Sequence, residues 1–229
     1  MPNARSTSLS WGPRLQLAAP RPDDDAVIAG WTHDDAYLRR VDTDIARPRS
    51  AAEGAALAPS AWEVRLRRRE DDVLIGFIAL MAIEWGNRTG KVAMGIGRAE
   101  DRGQGYGFEA MTLMLHYAFG ELNLHRVGLD VIETNTAAIR LYEKAGFRLE
   151  GRIPEAVWRD GARCDVLLMG ILAREWLSRG VCHPGVRPGR FQRCPAISGL
   201  IQRRPGSVSG GALPGPWTSG AASTPRSAR

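Results

Sequence analysis

The chain has 229 residues and a mass of 25.0 kDa, with 44% hydrophobic and 24% charged residues, which is the range of a soluble globular protein with room for one ordinary domain and extra length. Its formal charge of +6 is local: residues 180–229 hold seven Arg and no acid, whereas residues 1–179 hold 24 basic and 25 acidic residues, a net of −1, which argues against an extended nucleic-acid surface on the body. The longest apolar run, Val73–Ile83, is 11 residues where a membrane helix needs roughly 20, and three Cys (Cys164, Cys182, Cys194) without Cys-x-x-Cys spacing exclude a disulfide framework and argue against zinc.

Met1–Pro22 has no apolar core of signal-peptide length, so the cytoplasm is the expected compartment, and residues 1–12 read as a flexible lead. Arg14–Ala18 alternates as a short strand. Asp23–Asp25 supply acids for a helix start, and Ala26–Trp31 and Asp34–Val41 read as two short helices. Trp62–Arg68 alternates apolar and charged residues as a half-exposed strand does, and Asp71-Asp72 turns the chain into Val73–Ile83, a buried strand rich in branched residues. Asn87–Gly90 turns again into a strand over Lys91–Gly97. A glycine-rich loop then opens a helix over Gly105–Leu122, whose Met111, Met114, Leu115, Ala118 and Leu122 form one apolar stripe and read as core. Arg126–Ile132 is a β-branched strand. Thr136–Ala145 is a helix with Gly146 as its left-handed cap. Asp160-Gly161 is a hairpin turn between Glu155–Arg159 and Ala162–Ile171. His116 and His125 stand alone and read as structural. Residues 179–229 form a separate basic segment: nine Gly, seven Pro and six Ser fall within its last 50 positions, and it cannot bury enough surface to offset backbone ordering. It reads as a disordered extension, with a weak tether for nucleic acid or an anionic membrane as the functional alternative. The fold class is α/β (α+β), with a mixed, mostly antiparallel central sheet flanked by helices.

Arg102-Gly103-Gln104-Gly105-Tyr106-Gly107 follows a strand and opens a helix. A helix start leaves four backbone N–H groups unpaired and carries about half a positive charge; glycines let a phosphate approach them with no Cβ in the way. The spacing Gly-x-Gly-x-Gly fails the dinucleotide fingerprint, and Phe108-Glu109 stands where a Walker loop needs Lys-Ser/Thr. Standing alone, such a loop is also what a plain tight turn looks like. Asn135 and Tyr142 lie seven positions apart, within roughly 20° of one helix face, with small Ala138 between them. That leaves room for a ligand along the helix, although Asn135 is equally a plain N-cap.

Together the two segments read Arg-x-x-Gly-x-Gly and, about 30 residues later, Asn-x-x-Ala-x-x-Leu-Tyr-x-x-x-Gly-Phe. In this order and spacing the chain resembles the GNAT superfamily of acyl-CoA-dependent N-acetyltransferases, and most of all the bacterial branch of Rim-type acetyltransferases of ribosomal-protein N-termini. Arg14–Trp31, Val73–Trp85, Ile96–Leu122 and Gly151–Trp176 also read like that branch, so the resemblance covers roughly residues 13–178. It implies that Arg102, Gly103, Gln104, Gly105, Tyr106 and Gly107 form a pyrophosphate loop for acetyl-CoA. It also implies that Ile96, Gly97 and Arg98 end a bulged strand beside the pantetheine, that Asn135 contacts the cofactor arm and that Tyr142 is the general acid. The implied reaction is direct attack of a primary amine, a protein α-amine or a small molecule, on the thioester. No metal is implied, and no Gly-x-Ser-x-Gly or plausible Cys–His nucleophile pair points elsewhere. Asp130 and Glu84 are the carboxylate candidates for a base, and Lys91 stands where many relatives carry an acid. A second copy of the chain is a candidate partner; a membrane or a specific nucleic acid is not. The alternative function is a binding module of the same fold that holds acyl-CoA without catalysis.

Overall fold

The computed structural model describes residues 11–40, 47, 48, 50 and 62–179. The basic segment after residue 179 lies outside them, as do Val41 and residues 1–10. Trp11 and Gly12 are already engaged: Trp11 bridges Gln16, and the Gly12 amide donates to the Leu15 carbonyl at 2.8 Å.

Seven strands form one sheet in the order β1-β2-β3-β4-β5-β7-β6. They are β1 (Leu15–Ala18), β2 (Trp62–Arg68), β3 (Leu74–Glu84), β4 (Thr89–Ile96), β5 (Arg126–Ile132), β6 (Arg148–Arg159) and β7 (Ala162–Leu172). All neighbours are antiparallel except β4 and β5, which run parallel because a helical crossover joins them. The helices are α1 (Asp24–Trp31), α2 (Asp35–Leu38), α3 (Tyr106–His116), α4 (Thr136–Ala145) and α5 (Ala173–Ser178).

The pleat of each strand divides the core in two. On one face Leu66, Ile78, Leu80, Val92, Val127, Leu129 and Met169 pack against Met111, Met114 and Leu115 of α3, Ala145 of α4 and Trp176 of α5. The other face holds a smaller cluster of Ile28, Trp31, Tyr37, Leu74 and Phe77 under α1 and α2. There β2 presents Arg65 and Arg67, both buried, to Asp24 at the start of α1; Arg65 reaches Asp24 at 3.6 Å and Asp25 at 3.3 Å.

Several expected elements change shape. The helix expected over Gly105–Leu122 is α-helical only to His116 and continues as a wider π turn over Tyr117–Glu121, closed by the Leu122 amide on the Tyr117 carbonyl. The adjacent Ala118 and Phe119 of this turn are both buried in the core. The strand expected at Glu155–Arg159 is the end of the longer β6. It is kinked where the register shifts between Ile153 and Val157 and Glu155 takes φ +51°. The bulge implied for the strand ending at Ile96–Arg98 lies instead on its neighbour. The β3–β4 register is even from Gly76↔Ile96 to Met81↔Lys91 and shifts only between Met81 and Glu84 of β3. β4 stops at Ile96, so Gly97 and Arg98 lie beyond the strand.

Candidate functional site

β4 and β5 pair over only three positions, Thr89↔Arg126, Gly90↔Val127 and Lys91↔Gly128. Beyond them β4 follows β3 to Ile96 and β5 follows β7 to Ile132. The sheet therefore forks, and two strand edges face each other across a wedge with no ladder between them. A cleft of about 550 Å³ fills the wedge, lined by Met94, Gly95 and Ile96 on one arm and Asp130, Val131 and Ile132 on the other. An unpaired strand edge is a row of N–H and C=O groups, and an extended chain carrying amides can dock there.

The glycine loop crosses the open end of one arm. Gly103 and Gly105 adopt φ of +75° and +84°, which an L side chain takes only under strain. Gly105 is the N-cap of α3, and no side chain caps this helix, so its first amides are open to the cleft. A Cβ on Gly107 would lie 2.7 Å from Leu141 of α4, so glycine there lets the two helices meet. Arg102, Gly103, Gly105 and Gly107 line the cleft. Gln104 and Tyr106 turn away: the Gln104 carbonyl accepts from Arg14 at 2.9 Å, and the Arg14 guanidinium stacks 4.6 Å over the Tyr106 ring.

The Arg102 guanidinium is also structural, donating to the carbonyls of Ile96 and Gly97 and to Asp34 at 2.8 Å. That last bond holds the Asp34 carboxyl below its usual range. Gly97 cannot carry a Cβ, which would fall inside the Trp31 indole, and its amide donates to Ile75 at 2.9 Å. Arg98 faces solvent with Glu100 at 3.8 Å. Of the three positions expected beside a cofactor arm, only Ile96 lines the cleft; Met94 and Gly95 line it in place of Gly97 and Arg98, because the strand ends at Ile96, two residues short of Arg98.

The far wall is α4. Asn135 caps it, its Oδ1 accepting from the Ala138 amide at 3.3 Å, while its Nδ2 donates to the Arg40 carbonyl at 3.3 Å. Asn135, Ala138 and Tyr142 all line the cleft, as their common helix face requires. Tyr142 is 9% exposed, with its ring 5.9 Å from that of Phe147. Its hydroxyl has no hydrogen-bond partner among the described residues, and burial pushes the phenol up to about 12. Arg140 and Lys144 line the cleft on the same helix, with Lys144 Nζ 4.5 Å over the Phe108 ring beside the first turn of α3. Spacing along α4 from Asn135 pointed at Tyr142 but not at these two cations; their i,i+4 separation on the glycine-loop side was the available signal.

The carboxylates separate. Asp130 lines the cleft and accepts from Lys91 Nζ at 2.7 Å, at the point where the strands part. Glu84 is not brought to the cleft: it is exposed at the closed end of the sheet, paired with Thr89 and accepting from Asn87 at 2.7 Å. Among the described residues no three His, Cys, Asp or Glu cluster as metal ligands.

Short α2 spans the fork on the side opposite α3. Asp34 at its start holds Arg102 on one arm; past its end, Arg40 meets Asn135 and Arg39 pairs with Asp160 of the β6–β7 turn on the other.

A family profile described as an acetyltransferase (GNAT) domain matches residues 14–148. Spermidine N(1)-acetyltransferase of Vibrio cholerae is 35% identical over 106 residues, 46% of this chain and 61% of that protein. The putative ribosomal N-acetyltransferase YdaF of Bacillus subtilis is 30% identical over 106 residues, 46% of this chain and 57% of that protein. The chain thus spans about three-fifths of the length of these two relatives. Among solved structures, the spermidine N-acetyltransferase of Vibrio cholerae in complex with CoA and spermine superposes with a TM-score of 0.64 at 25% identity, covering 72% of this chain and 99% of that one.

Proposed function

The chain belongs to the GNAT acetyltransferase family, and from that premise we propose that it is an enzyme that moves an acetyl group from acetyl-CoA to a primary amine by direct attack. One observation carries the reading: an uncapped helix start behind two left-handed glycines opens into a forked sheet whose other wall bears a buried phenol. The residues fit the donor. The amides of α3, Gly103, Gly105 and Gly107, with Lys144 beside them and Arg140 on the same wall, would hold the diphosphate, and the edge of Met94–Ile96 would pair with the amides of the pantetheine arm. Bound there, acetyl-CoA supplies an acyl thioester. Asn135 holds the start of α4 in place, and through α4 it positions Tyr142.

Tyr142 acts as a neutral donor at the leaving sulfur. A phenol at about 12 gives its proton to a thiolate, ordinarily near 8.5, only against roughly 5 kcal/mol, so it stabilises developing charge by a hydrogen bond and keeps its proton. The proton account still closes: the acceptor nitrogen sheds one proton as the amide forms, and one proton is required at the sulfur. The amine must arrive neutral, which at pH 7 costs about 1 kcal/mol for an α-amine and about 4–5 kcal/mol for a lysine. Asp130 is held by Lys91 and Glu84 lies outside the cleft, so neither serves as a base; deprotonation to solvent suffices for an acceptor of low pKa.

The names of the relatives point to two different acceptors, spermidine for one and a ribosomal substrate for the other, and a primary amine is the class proposed for this chain. Thiol release from acetyl-CoA across peptides, polyamines and small amines tests it. Binding of CoA with no release on any amine would favour the non-catalytic module instead.

A further inference from the structure

Resting on that transferase reading, we infer that Lys91 is a specificity-determining residue: its ion pair with Asp130 reserves the cleft for amines whose remaining groups are neutral or anionic and turns polyamines away. Lys91 lies at the base of the fork, on the same pleat face as Met81 and Phe77, which is the face under α2 and opposite the glycine loop. This is the side left for an acceptor once α3 and α4 flank the other. A polyamine attacks through one neutral nitrogen while its others stay charged, and each of those needs a carboxylate. Among the described residues two carboxylates line the cleft. Asp101 is buried and held by Arg68 at 3.3 Å. Asp130 is held by Lys91 at 2.7 Å. Asp34, close by, is held by Arg102. Arg40, on the acceptor face, lines the cleft with no carboxylate partner among the described residues. Among the described residues a second ammonium therefore meets cations, Lys91 and Arg40, where it needs an unpaired carboxylate, while Phe77, Met81 and Ile132 accept an aliphatic stem. By this inference the chain departs from its spermidine-acting relative within the same fold.

Matched acceptors test the charge alone. One series is 1-aminopentane, 1,5-diaminopentane and 5-aminopentanoate; the other is a tripeptide Ser-X-Gly with X as Gln, Lys or Glu. In whichever series turns over, the dication is expected to show a kcat/KM at least tenfold below the neutral-tailed and anionic-tailed members. Lys91→Glu is expected to reverse that order, and Lys91→Met, which keeps the stem and removes the charge, to narrow it to within about threefold. A dication that matches or beats its neutral counterpart in the natural protein overturns the inference, as does an order unchanged in both variants. Failure of every amine to release thiol, with CoA still raising the melting temperature, overturns the transferase reading and the inference with it. Turnover with the wrong order overturns the inference alone.

Discussion

At the scale of single residues, the proposed chemistry turns on one side chain, Tyr142, and one missing side chain, Gly105. The Tyr142 hydroxyl has no partner among the described residues, so removing it should leave the fold intact and expose its role. Tyr142→Phe is expected to lower kcat by 10²- to 10³-fold, with the CoA dissociation constant within about threefold and the melting temperature within about 2 °C of the natural protein. Isothermal titration and thiol-release kinetics separate these, and unchanged kcat would remove Tyr142 from the reaction. Its pH behaviour follows from the direction of the shift. A phenol raised to about 12 stays protonated through pH 11, so kcat should show no falling limb below that pH, while kcat/KM should rise with pH to the pKa of the acceptor amine. Gly105 works through the absence of a Cβ. At φ +84° an Ala is strained by roughly 1–2 kcal/mol, with its Cβ 3.2 Å from Arg14 Nη2, and Asp adds a negative charge next to the amides proposed for the diphosphate. Gly105→Asp should abolish detectable CoA binding and Gly105→Ala should weaken it; normal affinity in the Asp variant would put the diphosphate elsewhere.

At the scale of elements, β5 and α4 carry their limits in the sequence: β-branched residues bounded by turns, then an Asn cap, an amphipathic run and a left-handed glycine. Both match the expected ranges because local signals and tertiary packing agree there. β6 was legible only at its hairpin end. Most of its side chains are exposed, and Gly151 and Pro154 interrupt its alternation, so it is a strand by virtue of pairing with β7 and not by its own pattern. The fork was not legible at all, since it is a mismatch in how far two parallel strands follow each other. Lys91 and Asp130, 39 positions apart, meet only in that register. The N-cap offers a test at this scale. Asn135→Ala should cost about 1 kcal/mol and lower the melting temperature by about 2–4 °C, whereas Asn135→Asp, which keeps an acceptor for the Ala138 amide, should recover most of it. Equal losses in both variants would mean that the bond to Arg40, not the cap, holds the end of α4.

For the whole molecule, the forked sheet ties stability to occupancy. CoA at 100 times its dissociation constant should stabilise the fold by about 2.7 kcal/mol, a rise of about 5–10 °C in melting temperature for a domain of this size, readable by calorimetry. No rise at saturation would mean that the wedge is not the donor site. Acid should act in the opposite direction. Asp34, held down by Arg102, Glu150, held down by Arg126, and Asp165, held down by the Glu155 amide and Arg152, all stabilise the fold above their unfolded values near 4 and stop doing so as pH falls through their lowered ones. Circular dichroism should therefore show stability level from pH 8 to about 5 and failing below about 4. The same fork has a kinetic corollary, because its lining runs from Gly103 and Gly105 of the glycine loop to Tyr37 of α2 and Arg40 just past it. Donor and acceptor can occupy it together without displacing each other, so initial rates should give intersecting double-reciprocal lines, with no exchange of label between acetyl-CoA and free CoA while the amine is withheld.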